Sequence, residues 1–246
     1  MAKKILITGA SSGIGRALAI ELAGMGYALA LAARRAEALE TVREEILVQH
    51  PSTLVVAHAL DVTAFDTVPG VVGVCAEALG GLDIVFANAG IDRGGKVGRG
   101  RFHDARLTVE TNLLGAMATV DAAVAYFLEQ GHGHVVGTSS ILAYRGMPRS
   151  GPYGAAKAGF AHYLESLRAE VYRKNIHVTV LYPGYIDTPL NDMVKHRPFL
   201  VSAEKAAVII AGMIERRVKS SPVPVWPWRF LGPVLRWLPT GVIARF

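Results

Sequence analysis

A tyrosine and a lysine stand four residues apart at Tyr153 and Lys157, a spacing that sets both side chains on one face of a helix. A phenol with its ordinary pKa of about 10 is a poor acid–base catalyst at neutral pH. A nearby ammonium favours phenolate and lowers that value, so the pair reads as a proton donor and acceptor. Ser140 lies thirteen residues before Tyr153, at the end of a stretch, His134-Val-Val-Gly-Thr-Ser-Ser140, that reads as a strand. Its hydroxyl can hydrogen-bond an oxygen on which charge develops.

A second constellation sits near the start of the chain. Ile5-Leu6-Ile7-Thr8 runs into Gly9-Ala10-Ser11-Ser12-Gly13-Ile14-Gly15 and then into a helical segment at Arg16. A buried strand ending in a glycine-rich turn that opens a helix suits a pyrophosphate. Glycine lets the backbone approach closely, and the free N–H groups of the helix start meet the anion. Taken alone, such turns also simply close strands; the position after the first strand is what points to a nucleotide.

The elements that must position these groups follow from hydrophobic periodicity. Lys4–Thr8, Ala28–Ala33, Leu54–Leu60, Ile84–Phe86, His134–Thr138 and Ile176–Tyr182 read as buried strands. Ile14–Met25, Ala36–Gln49, Val68–Leu79, Ala105–Gln130 and Pro152–Lys174 are long enough for helices. Apolar strands without alternation are buried on both faces, as in a parallel sheet flanked by helices. The expected fold is therefore a doubly wound α/β domain over residues 1 to about 190. Beyond it, Ser202 caps an expected helix over Ala203–Val218, and five prolines from Pro222 to Pro239 break any longer helix. The whole chain, 1–246, reads as one domain: the core, a lid and helix over 188–218, and a tail over 219–246.

Several stretches together resemble the short-chain dehydrogenase/reductase family. They are Thr8-Gly-x-x-x-Gly13-x-Gly15, Asp61-Val62, Asn88-Ala89-Gly90, Asn112, Ser140, Tyr153-x-x-x-Lys157 and Pro183-Gly184-x-Ile186-x-Thr188, in that order. The resemblance covers about residues 4–190 and leaves out the last 25 or so. It implies an oxidoreductase in which a nicotinamide cofactor carries the hydride and Tyr153 exchanges a proton with a carbonyl or alcohol oxygen. By the same resemblance Ser140 holds that oxygen, and the thirteen-residue spacing selects it over Ser139. Lys157 tunes the phenol and binds the nicotinamide ribose, and Asn112 anchors a water leading from Lys157 to solvent. The cofactor contacts so implied are Gly9, Ser11, Ser12, Gly13, Ile14 and Gly15 in the turn, with Asp61 and Val62 at the adenine. Asn88, Ala89 and Gly90 are expected at the adenosine ribose, and Pro183, Gly184, Ile186 and Thr188 near the nicotinamide, its carboxamide held by Thr188. Enoyl reductases of the superfamily place a tyrosine seven residues before the lysine; here that position is Ser150. Extended relatives that act on nucleotide sugars differ in glycine pattern and have a longer substrate domain.

The end of the second strand speaks to the choice of cofactor. An acid there accepts from the ribose 2′-hydroxyl of NAD, whereas a cation favours the 2′-phosphate of NADP. Ala33 holds the acidic position and Arg34-Arg35 follow, so NADP(H) is expected over NAD(H). Ser12 stands where many NADP-using relatives carry a second basic residue, and Arg16 is the one cation placed to compensate.

Substrate loops are expected at 141–152 and 188–200. They offer Leu142, Tyr144, Met147, Leu190, Met193, Phe199 and Leu200, a set suited to a lipophilic ketone or alcohol or, equally, to ordinary packing. His132 and His134 stand in a glycine turn without a cysteine or acid cluster, and zinc needs several ligands, so no metal is expected. Arg93, Lys96, Arg99 and Arg101 read as a solvated loop near the pocket mouth.

Charge is unevenly placed. The net +6 lies wholly in residues 216–246, which hold Arg216, Arg217, Lys219, Arg229, Arg236 and Arg245, all three tryptophans and no acid. The remaining 215 residues balance, which excludes the distributed basic face of a nucleic-acid binder. The proline-broken tail has no 18-residue apolar run and is no membrane span. Its composition suits peripheral contact with a membrane through 222–246, or packing over the pocket or against a symmetry mate in a homodimer or homotetramer. One cysteine, Cys75, excludes an internal disulfide, and the short apolar run at the N-terminus is no signal peptide, so a cytoplasmic protein is expected. The alternative to an enzyme is a non-catalytic NADP(H)-binding protein or a membrane-recruited interaction protein.

Overall fold

Ile5 and Ile7 of the first strand face one apolar layer while Leu6 faces the other, and that two-sided burial sets the architecture. A computed structural model describes residues 2–192, 194 and 196–245. Seven parallel strands run in the order β3-β2-β1-β4-β5-β6-β9. These are β1 (Lys4–Thr8), β2 (Ala28–Ala33), β3 (Val55–Ala59), β4 (Ile84–Ala87), β5 (Gly133–Thr138), β6 (Ile176–Pro183) and β9 (Ser220–Val223). Helices α1 (Gly13–Gly24), α2 (Ala36–Gln49) and α7 (Ala203–Glu215) cover one face. The other face carries α3 (Val68–Leu79), α5 (Ala116–Gln130) and α6 (Gly151–Glu170). This is a Rossmann-like doubly wound domain, as the sequence leads one to expect. Strand order reverses between β1 and β4, which opens a crevice at their C-terminal ends.

Three features depart from the sequence reading. The helix expected over Ala105–Gln130 begins earlier, as α4 (Phe102–Val109), and Glu110–Gly115 forms a π-helical turn before α5. The run Phe102–Gln130 is long and apolar enough to cross a bilayer, but Val120, Ala123 and Phe127 are buried in the core. A seventh strand, β9, contains Pro222, which is compatible with a ladder because β9 is an edge strand paired, among the described residues, only to β6. The tail then forms α8 (Trp228–Leu235) and a short α9 (Thr240–Ile243), with Pro233 inside α8. The connection after β6 is held by β7 (Ile186–Asp187) pairing with β8 (Val201–Ser202), and the Ser202 hydroxyl caps α7 by accepting from the Lys205 amide at 3.3 Å.

Helix α6 carries Tyr153 and Lys157, and its seat on β5 determines where they stand. Phe160 and Leu164 are fully buried against Gly137 of β5, where a side chain would collide with both. Phe160→Ala removes the ring that sets this distance, at an expected cost of about 3–5 kcal/mol. Urea denaturation followed by circular dichroism should show the midpoint fall with the slope unchanged.

Candidate active site

The crevice is built around one threonine. The Thr8 hydroxyl, at the end of β1, accepts the backbone N–H groups of Asn88 (3.0 Å) and Ala89 (3.2 Å) and donates to the Phe86 carbonyl at 3.3 Å. Asn88 returns its amide to the Thr8 carbonyl at 3.2 Å and accepts from the Thr138 hydroxyl at 3.2 Å. The Thr138 carbonyl in turn accepts the Lys157 ammonium at 2.7 Å. A single hydrogen-bonded line therefore ties β1 to β4, β5 and α6.

On one side of this line lies the glycine turn. Gly9 has φ +69°, and a Cβ there would stand 2.8 Å from the Ala89 Cα; a Cβ on Gly15 would run into the Gly9 carbonyl. The Ser12 side chain does not cap α1, so the N–H groups of its first turn, including those of Gly13, Ile14 and Gly15, are free for an anion. Thr188 is buried, and its Cγ2 lies 3.2 Å from where a Gly13 Cβ would be. The strand end Pro183-Gly184 and Ile186 thus lead back to the turn through Thr188. A cradle filled by any side chain, with free donors, fits the diphosphate of a dinucleotide.

On the other side stand Tyr153, Lys157 and Ser140. The Lys157 Nζ lies 5.8 Å from the centroid of the Tyr153 ring. Burial pulls the lysine down to about 8. Desolvation pushes the phenol up to about 12, with the Ser140 hydroxyl acting the other way and the Asp92 carboxylate adding to the rise. Ser140 is buried at the head of the turn Ile141–Ala143, its oxygen accepting from the Leu142 amide at 3.2 Å. Ser139 donates to the Lys157 carbonyl at 2.9 Å, so its hydroxyl anchors α6 and is not free for a substrate.

Asn112 sits in the π-helical turn and is fully buried. Its side chain accepts from the Ile91 amide at 2.8 Å and donates to the Ile91 carbonyl at 2.7 Å. The side chain thus fixes the chain after Asn88-Ala89-Gly90, with one amide N–H left over. Its Oδ1 and the Lys157 Nζ flank Gly90, at 3.2 and 3.5 Å from where a Cβ would be.

At the far end of the turn Asp61 accepts from the amide (2.9 Å) and hydroxyl (2.8 Å) of Thr63, and Val62 is buried against Gly115. Arg34 and Arg35 are both exposed, and Arg35 donates to the Ser11 hydroxyl at 3.2 Å. Arg35 is therefore the arginine that reaches the glycine turn. Arg16, the cation placed in sequence to compensate for Ser12, pairs instead with Glu45 of α2 at 2.6 Å.

The loops expected to face substrate are met by the tail, for which packing over the pocket is one of the roles its composition suggests. Tyr144 stacks on Tyr182 at 4.8 Å, and Gly232 of α8 lies against its ring. Trp228 packs on Gly184, with Tyr185 at 6.5 Å and Phe199 edge-on at 5.7 Å. Its indole N–H is buried and makes no hydrogen bond among the described residues. Arg145 reaches the Leu238 carbonyl at 3.4 Å. Of the apolar residues expected to face substrate, Tyr144 and Phe199 are engaged by α8, Leu190 and Leu200 are exposed, Leu142 and Met147 are half-buried, and Met193 lies outside the described residues. The only sequence signal for Trp228 is the crowding of tryptophans in the tail.

The basic loop joins this region, since the Gly95 amide donates to the Arg149 carbonyl at 2.8 Å, while Arg93 and Arg101 pair with Asp104. His134 hydrogen-bonds Thr179 at 2.8 Å inside the sheet, and burial drives it down to about 3. His132 stands 3.4 Å from Asp83.

Residues 3–198 match the family profile described as short chain dehydrogenase. An uncharacterized oxidoreductase of Mycobacterium tuberculosis (strain ATCC 25618 / H37Rv) is 37% identical over 245 residues, covering 99% of this chain and 97% of the relative. An alcohol dehydrogenase from the archaeon Thermococcus sibiricus, solved with 5-hydroxy-NADP, superposes with a TM-score of 0.82 at 28% identity, over 90% of this chain and 96% of that one. A short chain dehydrogenase/reductase from Burkholderia phymatum, solved with NAD, gives a TM-score of 0.86 over 96% of this chain and 93% of that one; at 23% identity it speaks to the fold alone.

Proposed function

The chain belongs to the short-chain dehydrogenase family of oxidoreductases, and we propose that it interconverts a carbonyl and an alcohol with NADP(H), Tyr153 acting as general acid and base. The observation that carries this reading is the convergence of Tyr153, Ser140 and the buried Lys157 ammonium beside the glycine cradle. A nicotinamide cofactor, when bound, supplies or accepts the hydride.

The chain's own residues manage the proton. In the reducing direction Tyr153 is held protonated at neutral pH and gives its proton to the carbonyl oxygen. Ser140 donates to that same oxygen and stabilises the charge growing on it. The phenolate left behind is stabilised by the Lys157 ammonium, whose position is fixed by the Thr138 carbonyl. Asn112 holds the Ile91 backbone and so keeps the floor beside Gly90 in place for the ribose. Arg35, at the Ser11 hydroxyl, and Arg34 beside it supply the cations for a 2′-phosphate. Tyr144, Tyr182, Tyr185, Phe199 and Trp228 gather aromatic surface around the substrate side, which supports a lipophilic ketone or alcohol.

NADPH oxidation against ketones of rising apolar size should give a kcat/KM that climbs with size; a flat or falling series removes the lipophilic assignment. Tyr153→Phe should abolish turnover while fluorescence titration still detects NADPH binding, and retained turnover would sink the proton-transfer role. Lys157 carries its charge below about pH 8 in the free enzyme. Raising the pH through that value neutralises the group that stabilises the phenolate, so kcat/KM for reduction should be level near neutrality and decline above it. Replacing Arg34 and Arg35 together by alanine should lower kcat/KM for NADPH relative to NADH by about tenfold or more, and an unchanged ratio would overturn the NADP(H) assignment.

A further inference from the structure

The outer surface of α8 is unlike the rest of the molecule. Trp228, Gly232 and Leu235 form its inward stripe. Phe230 and Val234 stand one turn apart on its outward face, with Trp226 just before the helix and Trp237 just after it. All four are exposed, Trp226 at 73%, Phe230 at 63% and Trp237 at 86%, and the Trp226 and Phe230 rings meet edge to face at 5.7 Å. Arg229 and Arg236, seven residues apart, form an exposed stripe beside them, and Arg245 is exposed as well. Among the described residues none of these three guanidinium groups has a carboxylate partner. Residues 220–246 contain no Asp or Glu.

The basic tail seen in the sequence also divides in space. Arg217 bonds His177 near the start of β6, at the opposite end of the sheet from α8. The cations that accompany the tryptophans are therefore Arg229, Arg236 and Arg245.

We propose that residues 222–245 dock this protein on an anionic lipid bilayer. The aromatic stripe enters the headgroup boundary, where indole rings find both apolar chains and polar partners, and the arginines meet headgroup phosphates. Charge selects this occupant over a second copy of the chain. A two-fold contact through the same face would bring three arginines of each copy together with no carboxylate between them. An anionic bilayer supplies the missing negative charge. The opposite stripe of α8 touches Gly184 and Tyr144, so the docked face and the reacting centre lie on the same side, and a lipophilic substrate would enter from the lipid. That route rests on the carbonyl–alcohol reading; the docking itself does not.

The test uses the full chain without cofactor or substrate. It is mixed with phosphatidylcholine vesicles and with vesicles of rising phosphatidylglycerol content, then followed by co-sedimentation and tryptophan emission. Binding should rise at least about tenfold with anionic lipid and fall with added salt, and emission should shift to the blue as Trp226 and Trp237 leave water. Replacing both by serine (Trp226→Ser, Trp237→Ser) should weaken binding about tenfold or more, and Arg229→Gln with Arg236→Gln should remove the preference for anionic lipid. An unchanged urea midpoint separates these losses from unfolding. Absence of binding at every composition, or binding unaltered in the serine variant, overturns the proposal. So does a blue shift without vesicles that tracks dimer mass in analytical ultracentrifugation, which would assign the face to a second copy. Vesicle binding by a protein that oxidises no NADPH would remove the redox reading and leave the docking standing.

Discussion

The ammonium of Lys157 is buried, and the site is organised around keeping it there. Moving a lysine from its ordinary 10.5 to about 8 costs the folded state about 3 kcal/mol whenever the group is charged. That cost weighs on the fold at neutral pH and disappears as the pH rises from about 8 through 10.5, because the unfolded chain still binds the proton over that range. The compensation is local. The Thr138 carbonyl takes one of the three ammonium donors, Asn88 steadies Thr138, and Thr8 steadies Asn88. The links run from α6 to β5, to the end of β4 and to β1, so the adjacency of these three strands serves the charge as well as the sheet.

The same constraint explains why backbone and side chain are so closely shared between the glycine cradle and the Tyr153–Lys157 pair. The Asn88-Ala89 backbone closes against Gly9 on one side, while the Asn88 side chain serves Lys157 through Thr138 on the other. Ser139 and Ser140 divide similar work, one hydroxyl fixing α6 and the other left beside the phenol. A change anywhere on this line alters both the place for an anion and the proton affinity of the tyrosine.

Much of this was legible in the sequence because the parallel sheet leaves a strong trace. Strands such as Lys4–Thr8 and Ala28–Ala33 are buried on both faces and therefore stand out as unbroken apolar runs, with the glycine turn fixed between them. What stayed hidden depends on partners far away in the chain. Four-residue β9 contains a proline and is a strand only because β6 offers it an edge. The π-helical turn around Asn112 has no composition of its own, and its side chain bonds the Ile91 backbone twenty-one residues away. Arg16 looks available in sequence, and only the fold brings Glu45 to it across twenty-nine residues. Trp228 lies on Gly184 because β9 carries the tail there, a placement no local pattern records.

The place of β9 at the end of the sheet has a consequence for the order of events during synthesis. Among the described residues its only sheet partner is β6, completed at Pro183, and α8 comes later still in the chain. A nascent chain can close the glycine cradle and seat α6 before residues 220–245 have emerged from the ribosome, since domains form from the N-terminal side as translation proceeds. The glycine cradle and the Lys157 network would thus exist for a short interval in a molecule without α8, and the last stretch of translation lays Trp228 on Gly184 and Gly232 against Tyr144.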